Sequence, residues 1–199
     1  MELVRQSKVH PAGAHIAYLY YEDEERRQVS GDFIRGGLTG DELVVYLPDV
    51  VDQELNGALE ELGVFSVDDV HSHKLLTLSA TATFCPQDSL IPDVAIAQLR
   101  GFYERAHSDG FTGARVIGQE TWALRGIPGS EHLVDLEFRV NNLIATNPMT
   151  ILCQYDMRRF DGATGFAVLG AHPLLLMRGR VVPNPYLNAP LDRPLRRRA

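Results

Sequence analysis

Seven residues of this 199-residue chain combine reactive or ligating side chains with positions where β-prone runs begin or end: His15, Glu120, Trp122, Cys153, Gln154, Tyr155 and His172. In "MTILCQYDMRRF", residues 149–160, an apolar run gives way at once to a thiol, an amide, a phenol and a carboxylate. In "RVIGQETW", residues 115–122, an apolar run ends on Gln119, Glu120 and the sole tryptophan. A carboxylate leaving an apolar strand is what magnesium-binding and water-activating sites use, and Trp122 offers an apolar wall with one N–H donor. Glu120 capping the chain locally, with Trp122 packed under a loop, is the plainer alternative.

His15, Cys153 and His172 together form a set of soft and borderline metal ligands. They are single residues scattered along the sequence, their spacing matches no zinc motif, and the expectation is no metal and no cofactor. Cys153 as a nucleophile needs a base such as His15 or His172, and no local thiol-hydrolase signature supports one. His71 and His73 in "VHSHK" share a strand face, but a solvated strand start explains them as well. The chain lacks GxSxG, GxGxxG and GxxxxGK[ST], and Lys8 and Lys74, its two lysines, lie in no glycine-rich loop. Conventional phosphate-loop ATP hydrolysis is therefore not expected.

The elements that position these residues alternate. Strands are expected at "HIAYLYY" (15–21), "ELVVYLP" (42–48), "HKLLTLS" (73–79), "ARVIGQE" (114–120), the 149–156 run, "LLLM" and "RVVP". Between them lie helical patterns: an acidic-started helix around 22–35 stopped by Gly36-Gly37, a helix with Val51, Leu55, Leu59 and Leu62 on one face, one with Ala95, Leu99, Phe102 and Ala106, one with Leu133, Leu136, Val140 and Leu143 capped by Ser130, and one in "GATGFAVLGAH". "ATATFCPQDS" reads as a loop. Such alternation predicts an α/β fold with a mostly parallel central sheet and helices on both faces. Ligands of these sheets bind beyond the carboxyl ends of the strands, which puts Asp49, Gln119, Glu120, Trp122, Gln154, Tyr155 and Asp156 at the expected mouth.

A composition 45% hydrophobic and 23% charged suits one globular domain, divided here as an N-terminal extension at 1–12, a domain at 13–187 and a basic tail at 188–199. A net charge of −7 argues against direct nucleic-acid binding, and "RPLRRRA" reads as a solvated tail. Two cysteines suit a reducing compartment, and with no signal-peptide or membrane-spanning stretch the expected location is the cytoplasm.

"HIAYLY", "FIRGGLTGDELVVYLPD", "RVIGQETWAL", "LCQYD", "AHPLLL" and "NPY", in this order from His15 to Tyr186, resemble the MEDS domain family, the DcmR-like sensory domains. That family is similar to RecA/KaiC-type ATPases with a degenerate nucleotide loop, and the Glu120 strand looks like their Walker B strand. The family's expected carboxylate position is taken here by Gln119, with Glu120 one residue later. The resemblance implies a non-enzymatic input module that senses small hydrocarbon derivatives and acts on transcription or signalling through a protein partner on another chain. It carries His15, Trp122, Cys153, Tyr155 and His172 over as sensor residues. The competing readings are a residual nucleotide-binding ATPase and a ligand-free interaction module. A homodimer is compatible with each.

Overall fold

The computed structural model describes residues 13–49 and 74–187. The helix read around Val51–Leu62, the His71/His73 pair and the two terminal segments lie outside them. The described residues run through strand β1 (Ala14–Tyr20), helix α1 (Asp23–Thr39), β2 (Leu43–Leu47), β3 (Leu75–Thr77), α2 (Ala80–Phe84), α3 (Pro92–Ser108) and β4 (Ala114–Gln119). Two 3-10 turns, Glu120–Arg125 and Ser130–His132, lead into α4 (Leu133–Thr146), followed by β5 (Thr150–Asp156), α5 (Gly162–Ala171) and the hairpin β6 (Leu174–Met177) and β7 (Arg180–Pro183).

The strands form one seven-stranded sheet in the order β3-β2-β4-β5-β1-β6-β7. All neighbours pair in parallel except β6 with β7. Every residue of β2 and β5 is buried, as expected of parallel strands covered on both sides. Successive side chains point to opposite faces, so each strand feeds two separate cores. On one face Ala17, Val45, Val116, Ile151, Cys153 and Tyr155 pack under α2, α3, α4 and α5. On the other Ile16, Tyr18, Val44, Tyr46, Ile117 and Leu152 meet Val29, Phe33 and Ile34 of α1. The expected stripes of α3 and α4 are the buried ones.

Three local expectations change. Helix α1 passes through Gly36-Gly37 and ends at Thr39. Gly37 serves close packing, since a Cβ there would lie 2.5 Å from Val44 Cγ2 and 3.1 Å from Arg115 Cδ. The segment read as a loop contains α2, capped by the Ser79 side chain, which accepts from the Ala82 amide at 3.3 Å. Ser130 makes no side-chain cap; it opens a 3-10 turn that feeds α4.

Gly37→Ala is expected to cost about 1–3 kcal/mol by overpacking. Gly101→Ala, in the interior of α3 with nothing within 4 Å of its would-be Cβ, should instead stabilise by roughly 0.5–1 kcal/mol through helix propensity. Urea denaturation of the two variants checks the opposite signs.

Candidate functional site

Helix α4 carries its apolar stripe over the sheet, yet one member of the stripe is a carboxylate. Glu137 lies between Leu136 and Val140 and is 2% exposed. An ionised carboxylate at that depth needs donors on every side, and four strands and helices supply polar groups around it. From β1, His15 Nε2 lies 3.0 Å from Glu137 Oε2. From β5, the Cys153 thiol reaches Oε2 at 3.7 Å and His15 Nε2 at 3.5 Å, while the Tyr155 hydroxyl donates to Oε1. From the end of α5, His172 Nε2 stands 3.4 Å from Oε2, and its ring packs on that of His15 with centroids 4.0 Å apart. One turn along α4, Asn141 Nδ2 donates to the Ala171 carbonyl at 2.7 Å, leaving Oδ1 to accept from His15 Nδ1 at 2.9 Å.

Local sequence explains each placement. β1 and β5 pair directly, with Ala17 opposite Cys153 and Leu19 opposite Tyr155, so odd-numbered side chains of both strands share one face. His172 ends α5, and Asn184 beyond β7 ties that corner by donating to the carbonyls of Leu169 and His172.

Burial alone would raise the Glu137 pKa, but the imidazole of His172 and hydrogen bonds from His15 and Tyr155 outweigh it and lower it to about 2. Burial, then the neighbouring His15, lowers His172 to about 3. The Cys153 thiol and the Tyr155 phenol are pushed up, first by burial and then by the negative Glu137. A protonated, buried thiol is the reverse of an activated nucleophile.

A cavity of about 20 Å³ adjoins the cluster, between β4, β5 and helices α2, α3 and α4. Phe84, Leu99, Val116, Leu136, Val140 and Ile151 form its apolar walls; Glu120, Glu137 and Cys153 are its polar members. Gly118 leaves it open, because a Cβ there would sit 2.9 Å from Glu120 Oε1. The volume holds one or two water-sized bodies, the scale of a one- or two-carbon molecule. Burial raises the Glu120 pKa well above the usual carboxyl range, reinforced by Glu137 and opposed by the Trp122 N–H, which donates to Oε2 at 2.9 Å.

The structure thus brings together His15, Cys153, Tyr155 and His172, with Glu120 across the cavity. It does not bring Gln154: strand alternation sends that side chain to the opposite face, where it donates to Ser30 Oγ on α1 at 3.0 Å. Nor do Trp122 and Tyr155 wall the cavity. Both are fully buried, and each instead orients a carboxyl that does line it. The site therefore sits on a sheet face, beneath the expected mouth. At that mouth the polar residues satisfy one another: Asp49 accepts from Thr121 at 2.9 Å and pairs with Arg125 at 2.8 Å, and Gln119 donates to Tyr46 at 3.0 Å. Glu137 and Asn141 escaped the sequence reading, although a carboxylate inside an apolar helical stripe, with an amide four residues on, was a readable signal.

The model of the MEDS family, described as "MEthanogen/methylotroph, DcmR Sensory domain", matches residues 14–173. No curated protein matches the chain. Among solved structures, the flagellar accessory protein FlaH of Methanocaldococcus jannaschii is similar with a TM-score of 0.61 at 15% identity, over 85% of this chain and 76% of that one. A KaiC-like protein of the hyperthermophilic archaeon Pyrococcus horikoshii OT3 gives 0.56 at 13% identity, over 82% of this chain and 71% of that one. These likenesses establish a RecA/KaiC-like fold. Among the described residues no helix is long and apolar enough to cross a membrane.

Tyr155→Phe removes a donor to a buried charge and should cost about 1.5–3 kcal/mol. Gln154→Met, one residue away, should be nearly neutral, because Ser30 keeps its bond to the Arg26 carbonyl and the Gln154 carbonyl oxygen has no hydrogen-bond partner among the described residues. Equal losses in chemical denaturation would contradict the division of these neighbours between two environments.

Proposed function

The chain belongs to the MEDS family of sensory domains, and from that membership we propose that it is a non-enzymatic signal-input domain. It binds a small, hydrocarbon-derived molecule in the cavity beside Cys153 and controls transcription or signalling through a protein partner. The observation that carries this reading is the cavity itself: apolar walls sized for one or two carbons, with carboxyl and thiol groups at one side to meet a polar atom or halogen. Displacement of the lining would reach α2 and α4, the elements that cover the site.

Two features speak against nucleotide turnover. Only Tyr21 and Glu22 separate β1 from α1, too short a turn to cradle a polyphosphate. The first turn of α1 carries Asp23, Glu24 and Glu25, whose charge repels an anion where a phosphate would sit. Arg158 is committed there, donating to Asp23 at 2.8 and 3.0 Å and to Asp156 at 2.7 and 2.8 Å. The full packing of Trp122 and Tyr155 favours a second reading, an interaction module that takes no ligand.

Thermal-shift measurements with one- and two-carbon alcohols, aldehydes, amines and halocarbons distinguish these. A ligand at a hundred times its Kd should raise Tm by about 5–10 °C. The double variant Val116→Ile/Val140→Leu, which fills the cavity, should weaken that binding at least tenfold, about 1.4 kcal/mol, while keeping or raising Tm. Stabilisation by magnesium-ATP alone would replace the proposal with the nucleotide reading, and no shift with any compound would replace it with the interaction module.

A further inference from the structure

The hydrogen-bond directions around Glu137 leave one buried nitrogen, His172 Nε2, without a partner among the described residues. A backbone carbonyl only accepts, so His172 Nδ1, 2.7 Å from the Val168 carbonyl, carries the ring proton. Nε2 stands 3.4 Å from the Glu137 carboxylate, and among the described residues it has no hydrogen-bond partner although the residue is 0% exposed. His15 is anchored through the same atom: the Asn141 amide, oriented by the Ala171 carbonyl, presents Oδ1 to His15 Nδ1 and so places a proton there. Two imidazoles are thus each anchored through Nδ1–H to an oxygen, with both Nε2 atoms converging on one carboxylate oxygen. At His15 Nε2, 3.0 Å from Oε2, the positive body between nitrogen and carboxylate can be a second ring proton, but at His172 Nε2 no group among the described residues supplies one.

The geometry points to a transition-metal site in which His15 Nε2, His172 Nε2, Cys153 Sγ and Glu137 Oε2 hold one divalent cation of the zinc class. The four ligand atoms lie within 4.8 Å of one another. A tetrahedral zinc ion with nitrogen, oxygen and sulfur ligands needs them about 3.3–3.8 Å apart. Four of the six separations are 3.0 Å between His15 and Glu137, 3.4 Å between His172 and Glu137, 3.5 Å between Cys153 and His15, and 3.7 Å between Cys153 and Glu137, and the two from His172 to His15 and Cys153 lie within the same 4.8 Å. The surrounding partners are those that metal sites use: an N–H anchor for each histidine, and a hydroxyl, Tyr155, on the carboxylate oxygen that does not ligate. Charge also balances. A dication bound by a thiolate and a carboxylate is neutral overall, which suits a buried site, and the Cys153 proton leaves to solvent on binding. Two imidazoles and a thiolate select zinc, cobalt or ferrous iron over magnesium and calcium, which prefer oxygen. Metal binding is measured with no small molecule present, so it stands or falls apart from the sensing reading.

The test uses the full chain, stripped with chelator and then dialysed against zinc or titrated with cobalt(II). One equivalent of zinc should be retained, and the cobalt form should show the intense visible bands of four-coordination with a thiolate charge-transfer band. Cys153→Ser should abolish the charge-transfer band and weaken zinc binding by more than about 100-fold, and Asn141→Ala, which only frees the His15 ring, by roughly 10–100-fold. Cys85→Ser should change neither, since Cys85 lies outside the four-residue group. Weak, six-coordinate cobalt spectra of the unmodified chain, zinc well below one equivalent, or a charge-transfer band lost in Cys85→Ser instead of Cys153→Ser would each overturn the proposal.

Discussion

A carboxylate placed inside the core constrains everything around it. Glu137 occupies a position on α4 that periodicity reserves for an apolar residue, and a charge there is tolerable only if polar groups converge on it. They come from three other elements: His15 on β1, Cys153 and Tyr155 on β5, and His172 at the end of α5, with Asn141 of α4 itself holding the His15 ring. Each helix and strand in that layer is thereby tied to a common point. The pairing of β1 with β5 matters because a one-residue slip would turn Cys153 and Tyr155 to the α1 face and strand the carboxylate.

The same arrangement gathers buried polar groups on one face of a RecA/KaiC-like sheet. Such sheets usually place ligands beyond the carboxyl ends of their strands. Here the β1–α1 turn is two residues long, its helix opens on three carboxylates, and Arg158 bridges Asp23 and Asp156 across the edge. With the edge closed by its own ion pairs, the polar groups left with something to do are those on the sheet face. Glu137 and Cys153 belong both to the buried cluster and to the wall of the cavity beside it, so an event in the cavity acts on the groups that join the helices to the sheet.

Much of the fold was legible. The alternation of strands and helices, the stripes of α3 and α4 and the buried β5 run follow from periodicity, which reports which face of an element meets apolar surroundings. The 36–37 glycine pair and the 80–84 segment were misread for a shared reason. A glycine that ends a helix and one that admits a neighbouring side chain look alike in sequence, and a five-residue helix is too short to show a period. Of the site, His15, Cys153, Tyr155 and His172 were legible as residue types at strand ends. Gln154 looked equivalent to its neighbours because residue type does not state which way a strand side chain points.

The amino-acid sequence alone determined the parallel α/β architecture, the loss of the phosphate-binding lysine and the kinds of side chain available for a site. Those properties are local: they depend on period, spacing and composition. Only the tertiary structure decided that Glu137 is the centre, that Trp122 and Tyr155 orient carboxyls instead of walling a cleft, and that two histidines 157 residues apart in the chain face one oxygen. Those are matters of register and of which helix lies over which strand, and they arise when the sheet pairs and its covering layer closes.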